Sequence, residues 1–287
     1  MFILFCCVYA FGQNREVAVT FDDLPMVYGS LQSERRLTKK LLQSIKSNNV
    51  PAIGFVNEGK LNARGEIDER TKLLQRWLDE GLELGNHTFS HISLEKASIQ
   101  EYQKDVISGE RVTRMLLNRK KMKLRYFRHP FLRTGNTVEY KNALDAFLKK
   151  RGYTVAPVTI DNNDYIFAYL YSKAREKGDT ETMQRVAEAY VPYMEKVFDH
   201  FERLSRDFLG YEVKQVLLLH ANELNADHFD KLAAMMKRRG YSFITLEEAF
   251  ERQRIQFARS AGKQRAFLDT SLAFGKRSGN EKRAERT

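Results

Sequence analysis

The stretch Val17-Ala-Val-Thr-Phe-Asp-Asp23 decides the fold, because a run of apolar residues ends there in two adjacent carboxylates. Buried parallel strands are short and nearly continuous in their apolar character. In α/β barrels, catalytic groups lie at the carboxyl ends of such strands. The stretch therefore predicts a central strand whose end carries functional side chains.

The same arrangement, an apolar run followed by a polar cluster, returns four times along the chain. The clusters are His87-Thr-Phe-Ser-His91, Arg128-His-Pro-Phe131, Asp161-Asn-Asn-Asp-Tyr165 and, after the run that starts at Val216, His220. We expect the five clusters to converge at one edge of the barrel. Together they offer carboxylates, histidines and an arginine, which are the groups of a metal-assisted hydrolase.

The order of these five clusters and the residues within them resemble the motifs of the polysaccharide deacetylase family, also called the NodB-homology or carbohydrate esterase 4 group. The resemblance spans roughly residues 17 to 250, which is most of the chain. It implies an α/β fold, namely a distorted, incompletely closed (β/α) barrel. The length of the segment before the last motif adds a helical insertion to this fold.

Strand-like runs alternate with amphipathic stretches, which predicts a parallel sheet with helices between its strands. Seven runs are typical of strands, among them Arg125–Arg128 and Thr154–Thr159, and Ile99–Leu117 is predicted to be one helix. The segment at about 166–212 is longer than a single crossover helix requires, so we interpret it as a helical insertion. It either shapes the substrate cleft or only covers the flank of the barrel.

The chain of 287 residues carries a net charge of +11 that is unevenly distributed. Residues 252–287 hold ten Lys and Arg against three acidic residues, a net +7, and we expect this basic extension to be partly disordered. It is either simply solvated or makes weak contact with an anionic envelope. The remaining deacetylase-like domain, 13–251, is nearly balanced in charge, and nothing in it is typical of a nucleic-acid-binding module.

The first twelve residues are apolar and uncharged, and they are too short to span a bilayer. Ala10-Phe-Gly12 has the small-x-small spacing of a signal-peptidase site, so residues 1–12 are predicted to be a signal peptide, with the mature chain beginning near Gln13. We therefore expect a secreted or periplasmic protein without a transmembrane segment. The alternatives are a buried first strand and, less favoured, a lipoprotein anchor on Cys6 or Cys7.

His87 and His91 are four residues apart, a spacing that lets two imidazoles bind one metal ion from one face of a helix or tight turn. Two histidines also hydrogen-bond within loops, and the resemblance is what favours the metal site, with Asp23 as the third ligand. Two histidines and a carboxylate leave an open position, as catalytic zinc sites do. Zn²⁺ is the predicted metal, although nitrogen and oxygen ligands also admit Co²⁺, Ni²⁺ or Fe²⁺.

Asp22 and Asp23 need different roles, because neighbours on a strand point to opposite sides unless the strand has ended. By resemblance, Asp22 is the general base, and Arg128 lies beside it, where a guanidinium lowers a carboxylate's pKa and fixes its orientation. The resemblance also implies that the Phe131 N–H stabilises the oxyanion. His129 has no assigned role. A capping Asp pair and a surface arginine are the alternatives.

The resemblance makes His220 the general acid that protonates the leaving amine, with Asp164 holding the imidazole and raising its pKa. Asp161 competes for the role of Asp164, and without the resemblance His220 reads equally well as a core histidine. Leu218 is implied to line the site for the acetyl methyl group. Tyr165 stands where the family usually has Trp, and we expect it to contact substrate.

We therefore expect a polysaccharide deacetylase, a hydrolase of carbon–nitrogen bonds in linear amides that removes acetyl groups from N-acetylated amino sugars. Its partner would be an acetylated glycan such as a chitin-like, peptidoglycan or poly-N-acetylglucosamine chain. An O-acetyl-xylan-type esterase or a small-molecule amidase would use the same site. A catalytically silent glycan-binding relative is the alternative from another class.

Overall fold

Parallel strands and helices alternate in this computed structural model, which describes residues 15–27 and 29–250. The predicted signal peptide, the basic extension and both limits of the predicted deacetylase domain lie outside those residues. The described strands are β1 (Arg15–Leu24), β2 (Ile53–Val56), β3 (Glu83–Asn86), β4 (Tyr126–Phe127), β5 (Thr154–Val155), β6 (Gln215–His220) and β7 (Tyr241–Phe243). The described α-helices are α1 (Leu31–Ser47), α2 (Ile67–Asp79), α3 (Ile99–Ser108), α4 (Arg111–Arg119), α5 (Val138–Lys150), α6 (Asp164–Glu176), α7 (Thr180–Leu209) and α8 (Glu223–Arg238), and two 3-10 helices lie at Glu58–Gly65 and Pro130–Leu132.

The strands form one curled parallel sheet in the order β5-β4-β3-β2-β1-β6, with β7 paired to the start of β1. After β5 the chain crosses to the other end of this order, where Ile160 makes a parallel bridge to Leu217 of β6. The sheet thus curls into an open half-barrel, and the expected α/β fold with a distorted, incompletely closed barrel is confirmed. Among the described residues, no helix combines the length and apolar character needed to cross a bilayer.

The core packs against the central strand β1 just before its carboxylates. Phe21 is fully buried, and its ring meets Trp77 of α2 edge-on at 5.8 Å and Phe229 of α8 at 5.4 Å between centroids. Burying aromatic rings of this size contributes much of a domain's hydrophobic stabilisation. The end of β1 is therefore held firmly where the functional side chains begin.

The prediction of one helix over Ile99–Leu117 was wrong, because the chain breaks at Gly109 into α3 and α4. A Cβ atom on Gly109 would lie 2.5 Å from the carbonyl carbon of Thr88, so only glycine lets this turn approach the backbone of the His87–His91 segment. The new helix starts with its N–H groups satisfied, since Glu58 accepts from the backbone N–H of Val112 and Thr113.

Two predicted strands are shorter than expected, Arg125–Arg128 and Thr154–Thr159, which are observed as β4 and β5. Pro157 has no N–H to donate to a sheet. Its carbonyl and that of Ala156 accept hydrogen bonds from the side chain of Arg128 instead of from a neighbouring strand. The buried guanidinium of Arg128 therefore satisfies the backbone carbonyls that lie beyond the end of β5.

The predicted helical insertion consists of α6 and α7 and precedes β6, which carries the last motif. α6 begins at Asp164, two residues before the predicted start of the insertion at about residue 166. α7 buries Tyr190, Met194 and Phe198 against the rest of the molecule. The insertion is thus an integral packed layer of the fold.

Candidate metal centre and active site

The two adjacent carboxylates line the same cleft because β1 is irregular at its end. The register between β1 and β2 shifts between Phe21 and Leu24, and Asp23 has a left-handed backbone with φ of 71°. This breaks the alternation that would turn Asp22 and Asp23 to opposite faces of a regular strand. Both carboxylates line a cleft of 1140 Å³ at the carboxyl ends of the strands.

Asp23, His87 and His91 form a possible metal site, with potential ligand atoms all within 4.8 Å of one another. His87 Nδ1 lies 2.8 Å from the carbonyl oxygen of Arg128. A ring N–H that donates to a carbonyl fixes the tautomer and leaves Nε2 as the free lone pair, as is usual for metal-binding histidines. The triad predicted from the sequence is therefore brought together, with His87 already oriented.

The protonation states of the triad suit a divalent cation. Burial lowers the pKa of both His87 and His91 to about 4, so the two imidazoles are neutral at pH 7. Burial acts to raise the pKa of Asp23, but Lys60 and the two histidines outweigh it and hold that pKa well below its ordinary value. Asp23 Oδ1 is buried without a hydrogen bond from any described residue. An ionised oxygen that accepts no such hydrogen bond and lies beside two neutral imidazoles fits a bound metal ion.

Lys60 is a site residue that our sequence analysis did not identify. Its Nζ lies 3.2 Å from Asp23 Oδ1 and donates a hydrogen bond of 3.1 Å to the backbone oxygen of Asp23. The signal was present, because Asn57-Glu-Gly-Lys60 is another polar cluster after an apolar run, at the end of β2. The neighbouring Gly59 lets this segment meet the backbone of Phe89, to which its N–H donates at 2.9 Å.

Arg128 is fully buried, and each nitrogen of its guanidinium donates to at least one acceptor. Nη1 donates to both oxygens of Asp22 at 3.5 Å, Nη2 donates to Thr20 Oγ1 and the Pro157 carbonyl at 3.2 Å, and Nε donates to the Ala156 carbonyl at 3.1 Å. The guanidinium also lies 4.6 Å from the centroid of the Phe55 ring. The guanidinium is therefore fixed in place, and it fixes the orientation of the Asp22 carboxylate.

Burial raises the pKa of Asp22, and the attraction of Arg128 and His220 opposes this rise without cancelling it. Arg128 acts to lower this pKa, as the sequence predicted, but desolvation of a fully enclosed carboxylate is the larger effect here. His87 Nε2 lies 3.8 Å from Asp22 Oδ2, so the carboxylate is next to the metal triad. A carboxyl with a raised pKa is the better proton acceptor.

His220 and Asp164 form a second polar unit across from the triad. His220 Nδ1 lies 2.6 Å from Asp164 Oδ1, and Asp164 Oδ2 accepts from the His220 backbone N–H and from the side-chain amides of Asn222 and Asn225. Burial acts to lower the pKa of His220, but the Asp164 carboxylate overcomes it and raises the pKa to about 9. Asp164 holds the imidazole, and Asp161, the competing candidate, instead accepts from the Asn162 N–H at the edge of the cleft.

Comparison with known proteins identifies the family of this chain. The family model for polysaccharide deacetylases matches residues 12–156, just over half of the chain. The chain belongs to the polysaccharide deacetylase family. A peptidoglycan-N-acetylglucosamine deacetylase of Bacillus cereus is 34% identical over 112 residues, which are 38% of this chain and 35% of that protein. The chain thus aligns with only about a third of the length of this curated relative.

Solved structures support the same fold for this polysaccharide deacetylase family member. A polysaccharide deacetylase of Bacillus cereus superposes with a TM-score of 0.56 at 17% identity, covering 80% of this chain and 91% of that one. A carbohydrate esterase 4 pseudoenzyme of Bacillus anthracis superposes with a TM-score of 0.52 at 14% identity, covering 83% and 66%. Because the fold is shared with a pseudoenzyme, activity has to be argued from the site residues.

The remaining predicted site residues of this deacetylase-family chain also line the cleft. They are Phe131, Leu218 and Tyr165. Phe131 has φ of 58°, its ring meets that of His91 at 4.5 Å, and its backbone N–H donates to no described residue. Leu218 is buried on β6, whereas Tyr165 is exposed and its ring lies 6.2 Å from that of His220. Left-handed backbones at non-glycine residues such as Phe131 are typical of functional sites.

His129, which had no assigned role, is buried away from the cleft. Its Nδ1 lies 3.1 Å from the hydroxyl of Tyr102, and its ring meets that of Phe127 edge-on at 4.9 Å. Burial lowers the pKa of His129 to about 4, so it is a neutral packing residue at pH 7. This histidine supports the segment that carries Arg128 and Phe131.

Proposed function

We propose that this protein is a metal-dependent hydrolase that removes acetyl groups from N-acetylated amino sugars of a glycan. One observation carries the proposal: a single cleft is lined by the Asp23/His87/His91 triad, by Asp22 held on Arg128, and by His220 held on Asp164. These are a ligand set, a base and an acid with separate partners. Amide hydrolysis needs all three together.

The metal would be held by Asp23, His87 and His91, and Zn²⁺ is the favoured ion because the donors are two nitrogens and a carboxylate. When bound, such an ion supplies a Lewis acid that polarises the acetamide carbonyl and lowers the pKa of water. Lys60 holds Asp23 ionised and fixes its backbone, so that the carboxylate is ready as a ligand.

Asp22 is the proposed general base. Arg128 fixes the orientation of its carboxylate, and burial keeps its pKa raised, which makes it a stronger proton acceptor than an exposed aspartate. It removes the proton from the water that attacks the acetamide carbon. The Phe131 N–H has no acceptor among the described residues and donates to the oxygen of that carbonyl as negative charge develops.

His220 is the proposed general acid. With a pKa of about 9 it is protonated at neutral pH, and Asp164 engages Nδ1, so Nε2 is the nitrogen that gives its proton to the departing amine. Leu218 lies on the same strand, two residues before His220, and provides an apolar wall of the cleft that suits the acetyl methyl group.

Acetate release from a panel of substrates tests the proposal. The panel should contain N-acetylated glycans, O-acetylated xylan and small N-acetyl amides, each assayed after chelation and after addition of Zn²⁺. We expect release from N-acetylated glycans, loss of release with chelator, and recovery with Zn²⁺. Release from xylan or from small amides alone would assign the site to an esterase or amidase, and no release from any substrate would mark a silent relative.

Export is part of the same proposal, because a glycan of the cell envelope lies outside the cytoplasm. It is supported only by the composition of residues 1–12. N-terminal sequencing of the protein from its native source is the test, and we expect a mature chain that begins near Gln13. An intact Met1 in a cytoplasmic fraction would contradict export.

A further inference from the structure

One face of α6 extends the cleft away from the metal triad. Tyr165, Tyr169, Ser172 and Glu176 line the cleft, at the four- and three-residue spacings that place side chains on one face of a helix. With a rise of 1.5 Å per residue, this wall is about 16 Å long. It is far longer than an acetamido group and accommodates more than one sugar ring.

The opposite wall comes from the first turns of α1, where Ser33, Arg36 and Leu37 line the cleft. Glu223 at the start of α8 joins the two walls. Its Oε1 lies 3.3 Å from Arg36 Nη2 of α1 and 2.9 Å from Arg175 Nη1 of α6. The cleft thus continues between two helices and carries hydrogen-bonding side chains on both sides.

Tyr165 and Tyr169 are the aromatic side chains of α6 that line the cleft, and they are 54% and 55% exposed. Tyr169 lies one turn farther from Asp164, and therefore belongs to the extension. Lys173 Nζ lies 5.9 Å from the centroid of its ring, one turn farther along α6. An exposed aromatic ring in a cleft that also carries hydroxyl, carboxylate and guanidinium groups suits a sugar ring, which has apolar C–H faces and a periphery of hydroxyls.

α6 is fixed in place rather than loosely attached. Tyr171 and Ala174 are buried on its other face, and the Tyr171 hydroxyl donates to Asp227 of α8 at 2.9 Å. Its first residue is Asp164, which holds the imidazole of His220. The helix that lines the extension therefore also positions the proposed acid, so substrate bound along α6 is in register with the chemistry.

We propose that α6 and the start of α1 form a subsite for the sugar residues next to the one that loses its acetyl group, with Tyr169 as its stacking platform. The occupant is the glycan chain itself, because the extension is continuous with the cleft that holds the catalytic residues. The inference rests on the proposed function and refines it. The substrate is a chain of several sugars, and the helical insertion determines the preference for length.

Kinetics on N-acetylglucosamine oligosaccharides of increasing length test this subsite. In the unmodified protein, kcat/KM should rise with length until the extension is filled. Tyr169→Ala should lower kcat/KM for the longer chains by about tenfold, mainly through KM, and the loss should shrink for the shortest substrates. Tyr169→Phe should retain most of the activity, because it keeps the ring. Leu170→Ala is the matched control, since Leu170 is 48% exposed on the same helix but does not line the cleft.

A loss in Tyr169→Ala that is the same at every length, or no loss at all, would overturn the subsite. Calorimetric binding of a long N-acetylglucosamine oligosaccharide separates this failure from a failure of the proposed function. The protein could bind the oligosaccharide without releasing acetate, with weaker binding in Tyr169→Ala and unchanged binding in Leu170→Ala. That result would support the subsite and contradict the proposed hydrolase activity. Absence of binding to the unmodified protein would overturn the subsite itself.

Discussion

His220 Nδ1 and Asp164 Oδ1 lie 2.6 Å apart, joining the last residue of β6 to the first residue of α6. The contact links the carboxyl end of a barrel strand to the helical insertion, so the proposed acid depends on an element outside the sheet. Asn222 and Asn225 complete the shell by donating to the other oxygen of Asp164. These hydrogen bonds fix the Asp164 carboxylate in contact with the imidazole of His220.

The pH dependence of activity should report this contact. Because Asp164 raises the pKa of His220 to about 9, kcat/KM should fall on the alkaline side as pH passes that value and the imidazolium loses its proton. Asp164→Asn removes the negative charge that favours the imidazolium, so the alkaline limb should move to lower pH. Acetate release measured across pH for both proteins checks the direction of the shift.

Loss of the acid should be non-additive with loss of its partner, because the two residues act as one unit. His220→Ala should lower kcat by ~10²–10⁴-fold, and adding Asp164→Asn to it should cost little more. An unchanged kcat in His220→Ala on an amide substrate would assign the proton to another group, with Asp22 as the next candidate.

Substitutions of the two adjacent aspartates should have different effects on bound metal, although only one peptide bond lies between Asp22 and Asp23. Asp23→Ala and His87→Ala should lose bound metal and activity together, because each removes a ligand of the triad. Asp22→Asn should keep its metal and lose ~10²–10⁴-fold in turnover, because it removes only the proposed base. Elemental analysis beside acetate release measures both quantities. Metal retained in Asp23→Ala would show that other side chains hold it.

Arg128→Lys should be damaging although the charge is kept. A lysine ammonium cannot donate at once to Asp22, to Thr20 and to the carbonyls of Ala156 and Pro157. Some of these buried acceptors would lose their hydrogen bond, which should lower the free energy of unfolding by more than ~2 kcal/mol. The midpoint temperature of thermal unfolding should fall. Turnover should also fall, because the Asp22 carboxylate is no longer held in its orientation. Arg125→Lys, three residues earlier and partly exposed on Glu83 and Glu247, is the control and should change little.

Gly109→Ala should destabilise the fold and disturb the metal site together. The added Cβ would lie 2.5 Å from a backbone atom of Thr88, next to His87, so either α3 or the histidine segment must move. We expect a loss of ~1–3 kcal/mol in the free energy of unfolding, with weaker metal retention. Ser108→Ala, at the exposed neighbouring position, controls for the substitution. Wild-type stability in Gly109→Ala would contradict the close approach.

Several features were open to sequence reasoning because their causes are local. Apolar runs that end in polar clusters mark strand ends, and their order along the chain indicated the barrel and the cleft. The same rule, applied to Asn57-Glu-Gly-Lys60 after β2, would have identified Lys60 as well. The helix break at Gly109 was missed because its cause is a backbone more than twenty residues earlier in the sequence.

The sequence by itself indicated the alternating strands and helices and the helical insertion, since periodicity is carried by neighbouring residues. Its resemblance to the family implied the incompletely closed barrel and the grouping of Asp23 with His87 and His91. Only the tertiary structure decided that Asp22 and Asp23 share one cleft, because a left-handed backbone at Asp23 overrides the alternation of the strand. It also selected Asp164 over Asp161, because α6 starts at Asp164 and brings that carboxylate to His220. These outcomes depend on backbone dihedral angles and on packing between distant segments, which no local pattern encodes.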